Sequence, residues 1–84
     1  MNIIHVKYES RKELIQKMKT EEYTLKELRA RKNLTQAQVA RDLGTSTQTY
    51  NAWEKDVSRV AVSKVLALAD YYGVTIDQIF IPRT

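Results

Sequence analysis

Apolar residues recur along this chain in short blocks at helical spacing, separated by small polar residues, and the period changes only near the N-terminus. There Ile4, Val6 and Tyr8 alternate with His5 and Lys7, a period of two that fits a short strand better than a helix. Downstream, Ser10 precedes Glu13, Thr24 precedes Glu27, Thr35 precedes Gln38 and Thr75 precedes Gln78, each by three positions. In that arrangement each side chain satisfies a free N–H at a helix start, so each pair predicts the beginning of a helix.

The first predicted helix covers 11–22, with Leu14, Ile15 and Met18 as a narrow apolar stripe among charged neighbours. The second covers 25–32 with Leu25, Leu28 and Ala30 turned inward, and Leu34 marks the joint that follows it. The third runs to residue 43 with Val39, Ala40 and Leu43 on its buried side, and Gly44 ends it where a positive φ is often required. Ser46 can cap a fourth over 47–54, in which Tyr50 and Trp53 face the core while Thr47, Gln48, Asn51 and Lys55 take the opposite face. The next covers 62–72, with Val65, Leu66, Leu68, Ala69 and Tyr72 apolar and Gly73 as its stop. Thr75 opens a last short helix over 76–81 before Pro82.

The expected fold class is therefore all-α. A chain of 84 residues holds one core, and with only two Gly and one Pro it lacks the punctuation of an all-β fold. The segment 1–23 reads as an N-terminal extension of strand and helix, and 24–84 as a compact five-helix bundle. A lone strand needs a partner. Two readings of 4–8 stay open: pairing with the same strand of a second subunit, or disorder in the monomer.

Cysteine is absent, which excludes disulfides, thiolate metal sites and cysteine nucleophiles. The single His, His5, stands apart from any Asp or Glu cluster with ligand or triad spacing, so the chain reads as non-enzymatic, without metal or cofactor. No signal-like or membrane-spanning apolar run is visible, and a soluble cytoplasmic protein is expected. The net charge is +4, and within 24–60 the bases Lys26, Arg29, Arg31, Lys32, Arg41, Lys55 and Arg59 face the acids Glu27, Asp42, Glu54 and Asp56. A basic middle suggests an anionic partner, although a merely solvated face would look the same.

Two short helices joined by a Gly-containing turn, the second exposing small polar side chains with aromatics behind it, form a helix-turn-helix pattern. The residue types suit such a role, since a helix entering a DNA major groove needs hydrogen-bonding side chains outward and anchors inward. The stretches LKELRARKNLTQAQVARDLGTS, QTYNAWEK and VLALADYYGVTIDQIF resemble the Cro/phage-repressor (XRE) family of helix-turn-helix domains over residues 25–80. That resemblance implies a lambda-repressor-like five-helix bundle. It further implies that Thr47, Gln48 and Ala52, with Asn51 beside them, contact base edges, Gln48 being able to bond adenine twice through its amide. Gln36 would meet a DNA phosphate, with Thr35 and Ser46 at the helix starts and Lys55 and Arg59 also on the backbone. Arg29 and Glu54 match an internal ion pair of some phage repressors.

Three positions depart from the family pattern. Asp56 stands where Gly is common and Val60 where Pro is common, so the loop 55–61 is expected to run differently; Tyr50 replaces an aliphatic residue, and its hydroxyl needs a partner or the surface. The function implied is a sequence-specific transcriptional regulator of repressor type, a homodimer on double-stranded operator DNA with two recognition helices about 34 Å apart. Residues 3–18 are the expected pairing segment. The alternative is an antitoxin that binds a toxin protein and represses its own operon. A protein-only adapter would expose an apolar patch where Thr47, Gln48 and Asn51 stand, and the polar face counts against it.

Overall fold

The computed structural model describes residues 21–82. Four α-helices follow in order: α1 (Leu25–Arg31), α2 (Gln36–Leu43), α3 (Thr47–Lys55) and α4 (Val62–Tyr72), with single 3-10 turns at Val57–Arg59 and Ile76–Gln78. The predicted strand lies outside the described residues. So does the helix predicted over 11–22, apart from Glu21 and Glu22, which are not helical.

Local chemistry sets the helix starts. The Thr24 hydroxyl accepts from the Glu27 N–H at 3.1 Å while the Glu27 carboxylate accepts from the Thr24 N–H at 2.8 Å. Thr35 and Gln38 exchange the same two bonds at 3.1 and 2.8 Å, and Ser46 Oγ accepts from the Thr49 N–H at 3.0 Å. Each such cap contributes about 1 kcal/mol. Gly44 and Gly73, both at φ 71°, end α2 and α4. Asn33, at φ 55°, turns the chain out of α1 in the same left-handed region, where Asn is among the few residues tolerated.

Leu25 and Leu28 of α1, Val39 and Ala40 of α2, Tyr50 of α3, and Val65, Leu68, Ala69 and Tyr72 of α4 form one buried cluster with Val57 and Ile79. One expectation is corrected. Ala30 is exposed, because it sits roughly 140° around α1 from Leu25. Leu66, one of the apolar residues of α4, is exposed as well, lying off the stripe of Val65, Leu68, Ala69 and Tyr72. Trp53 is half-buried, its ring set edge-on to Tyr50 with centroids 6.2 Å apart.

A fifth α-helix does not form among the described residues. Gln78 begins the turn as expected, its side-chain oxygen accepting from the Thr75 N–H at 3.0 Å. The Tyr23 N–H then donates to the Gln78 carbonyl at 2.7 Å, and the Phe80 N–H donates to the Tyr23 carbonyl at 2.8 Å. This parallel bridge between Tyr23 and Ile79 draws the backbone out to an extended conformation and stops the helix after one 3-10 turn. It also ties the entry of α1 to the chain end and buries Ile79. Among the described residues no helix is long and apolar enough to cross a membrane.

Candidate nucleic-acid interface

Helices α2 and α3 are joined by Gly44, Thr45 and Ser46. The left-handed Gly44 and the bond from the Thr45 N–H to the Ala40 carbonyl, 2.9 Å, reverse the chain in three residues. Tyr50 then packs wholly inside, so the opposite side of α3 is turned out. Thr47, Gln48, Ala52 and Lys55 are exposed and Asn51 is half-buried, and these five side chains line one open depression along the helix. Their spacing of i, i+1, i+4, i+5 and i+8 is that of one helix face.

A polar cluster locks α3 from behind. Arg29 Nε donates to Glu54 Oε2 at 2.6 Å and its Nη2 donates to Oε1 at 3.2 Å, a two-point pairing between α1 and the end of α3. The third nitrogen, Nη1, donates to the Leu34 carbonyl at 3.0 Å and so holds the α1–α2 joint as well. Glu54 also accepts from Gln36 Nε2 at 2.9 Å, and Gln36 Oε1 accepts from Asn51 Nδ2 at 3.3 Å. Burial disfavours the Glu54 charge, but bonds from Arg29, Gln36 and Tyr50 and the guanidinium charge outweigh it, holding the carboxyl below its usual value. The Arg29 guanidinium is correspondingly held above its usual value by its bond to Glu54.

Deeper still, the hydroxyls of Tyr50 and Tyr72 meet at 2.6 Å. Tyr50 therefore finds its partner in α4. Burial first, then this contact and the nearby Glu54 carboxylate, push its hydroxyl well above the usual tyrosine range.

The predicted phosphate-side residues fall into different settings. Gln36 is half-buried and occupied at both ends of its amide, whereas Thr35 and Ser46 are exposed caps. The Ser46 hydroxyl donates to Thr49 Oγ1 at 2.9 Å. Arg59 lies in the 3-10 turn, 86% exposed, with Nε 3.5 Å from Asp56 Oδ2. In that turn Asp56 accepts from the Ser58 N–H at 3.1 Å, and Val57 is buried beneath it. Lys26, in the sequence only one positive charge among several, lines a second depression with Arg29, Gln36, Asn51, Glu54 and Lys55. Its place within the basic stretch is the one signal that could have singled it out. No group of His, Asp or Glu among the described residues is arranged to hold a metal ion.

Known proteins similar to this chain include two transcriptional regulators. The chain is 42% identical over 57 residues to an uncharacterized HTH-type transcriptional regulator from Methanocaldococcus jannaschii, covering 68% of this chain and 86% of the relative. It is 34% identical over 55 residues to the cryptic phage CTXphi transcriptional repressor RstR of Vibrio cholerae, covering 66% of this chain and 50% of that repressor. No solved structure matches the chain. The sequence pattern of the helix-turn-helix family matches residues 25–79, from the start of α1 to the buried Ile79, and the chain belongs to that family.

Proposed function

We propose that this chain is a sequence-specific double-stranded DNA-binding transcriptional regulator of repressor type that reads the major groove with α3. One observation carries the proposal: α3 turns a continuous stripe of Thr47, Gln48, Asn51, Ala52 and Lys55 outward while Tyr50, Glu54 and Arg29 fix it from behind. An amide and a hydroxyl on a rigid helix can bond base edges. Thr47, Gln48, Asn51 and Ala52 are assigned to bases, and Gln36, Thr35, Ser46, Lys55 and Arg59 to the backbone. The similarity to regulators in two organisms supports the same reading.

A single small domain covers only part of a typical operator, so the working unit is a homodimer with two copies of α3 in successive major grooves, about 34 Å apart. The segment 3–18, with its alternating and helical apolar patterns, is the pairing element, leaving residues 24–84 as the DNA-binding unit.

Fluorescence anisotropy over a salt series tests the reading, comparing duplex from upstream of the protein's own gene with a scrambled duplex. Wild type prefers the native duplex, the Thr47→Ala/Gln48→Ala double variant loses the preference, and both retain a log–log salt slope of about −0.9 per phosphate contact. Failure to bind either duplex at low salt would refute the proposal and leave α3 as a protein-binding surface.

A further inference from the structure

The end of α3, the start of α1 and the chain beyond Ile79 enclose a depression that the bundle leaves open. Its floor is the buried pair Leu25 and Val57, and its walls are Trp53, Phe80 and Pro82. Thr24, Glu54 and Lys55 complete the rim. Its volume is about 150 Å³, close to that of a cavity that takes up one benzene molecule, so it suits a single apolar side chain. Three of the five large apolar side chains exposed among the described residues, Ile76, Phe80 and Ile81, lie in the same stretch, around the bridge to Tyr23.

The point from which the preceding chain departs is fixed. Tyr23 is hydrogen-bonded to both Gln78 and Phe80, and Thr24, the next residue, stands on the rim of the depression. Met18 is six positions before Thr24, a span of at most about 20 Å when fully extended and about 9 Å as a helix. A tether this short makes the encounter intramolecular, with an effective concentration in the millimolar range. Met18 also ends the apolar stripe read from the sequence, with Leu14 and Ile15 four and three positions before it. The unbranched, flexible side chain of methionine suits an irregular apolar hollow.

We infer that this depression is the seat of Met18 of the same chain, with Leu14 and Ile15 laid over its rim. Removing the exposed apolar surface of Phe80 and Trp53 from water drives the contact. Trp53, Glu54 and Lys55 form the last turn of α3 and Val57 follows it, so the N-terminal segment braces the end of the helix to which DNA reading is assigned above. The anchoring needs no DNA, and it narrows the pairing element of the proposed dimer to the alternating residues 4–8.

The test uses the full chain, in which Trp53 is the single tryptophan and cysteine is absent. Acrylamide quenching of Trp53 fluorescence reports how open the depression is. Leu14→Ser/Ile15→Ser/Met18→Ser about doubles the quenching slope and shifts emission to the red, because an emptied hollow of this size admits a molecule as small as the quencher. Lys17→Ser/Lys19→Ser, changed at charged positions of the same segment, leaves both unchanged, and helical circular dichroism verifies that each variant keeps the bundle. Independently, Met18→Cys/Phe80→Cys closes on mild oxidation into a disulfide within one chain, which requires Cα atoms less than about 7 Å apart. Met18→Cys/Ala37→Cys stays reduced, Ala37 being exposed on α2, which lends no wall to the depression. A triple variant quenched no more steeply than wild type, or equal oxidation of the two cysteine pairs, would overturn the inference. A covalent dimer in place of the internal disulfide overturns it too, because the stripe would then occupy the depression of a second copy. No arm of the test involves DNA, so its failure is distinguishable from failure of the DNA-reading proposal.

Discussion

Replacing Arg29 by Met takes away both guanidinium bonds to Glu54, at 2.6 and 3.2 Å, and the bond to the Leu34 carbonyl at 3.0 Å. Glu54, 7% exposed, then keeps a carboxylate whose only remaining side-chain donors are neutral. Stranding one member of a buried ion pair costs about 3–5 kcal/mol. Arg29 is itself 18% exposed, so some water can enter the vacated space, and about 3 kcal/mol, the lower end of that range, is expected. At about 0.05–0.15 kcal/mol per residue of total stability, that is a large part of what holds so small a chain together. Urea unfolding followed by the fluorescence of the single tryptophan, Trp53, beside Glu54 on α3, measures it directly. Removing both charges in Arg29→Met/Glu54→Leu recovers most of the loss, since an apolar pair of similar volume needs no partner. The wild-type advantage also depends on pH in a defined direction. Because Glu54 titrates below the ordinary value of 4.5, its contribution is complete above that value and drains as pH falls towards the folded-state value. The gap between wild type and Arg29→Met therefore narrows in acid. A loss under about 1 kcal/mol, as for a solvated surface pair, with no narrowing in acid, would refute the reasoning.

Gly44→Ala lowers the urea midpoint through the backbone alone. Nothing lies within 4 Å of the added Cβ, but φ is 71°, and the left-handed conformation costs about 1–2 kcal/mol; an unchanged midpoint would show that the turn relaxes. In alkaline titration followed by phenolate absorbance, Tyr50 and Tyr72 stay protonated past the ordinary value of 10, chiefly because they are buried. Tyr71, raised to about 12 by burial and its bond to Asp42, lags with them. Since these folded-state values are raised, their contribution to stability is intact below pH 10 and is lost above it. The Tyr50 and Tyr72 phenolates should therefore appear together with loss of helical circular dichroism, and their appearance before unfolding would contradict the burial.

Most of the secondary structure is written locally. Thr24 with Glu27 and Thr35 with Gln38 are contacts over three residues, and such pairs are visible in a string of letters because the geometry of a helix start is always the same. The end of the chain is different. Thr75 and Gln78 give the same local signal, yet the outcome is a single 3-10 turn, because Tyr23, more than fifty positions away in sequence, captures the backbone on both sides of Ile79. A capping pattern states where a helix can begin, and a long-range partner decides how far it continues. Ala30 misled for a related reason: apolarity marks a candidate for burial, whereas the face set by Leu25 and Leu28 decides it.

The candidate site divides along the same line. That Thr47, Gln48 and Asn51 share a face opposite Tyr50 follows from helical period alone. The bond between Arg29 and Glu54 spans 25 positions and that between Tyr50 and Tyr72 spans 22, distances over which no periodicity speaks; the first was expected only from family resemblance and the second not at all. Gln36 shows what is lost. Its place in the first turn of α2 suggested a phosphate contact, and nothing in the letters showed that its amide is also shared between Glu54 and Asn51. Sequence position identified a polar side chain near the face. The partners at each end of the amide tie that side chain to the ion pair and to α3, and they become legible only in the fold.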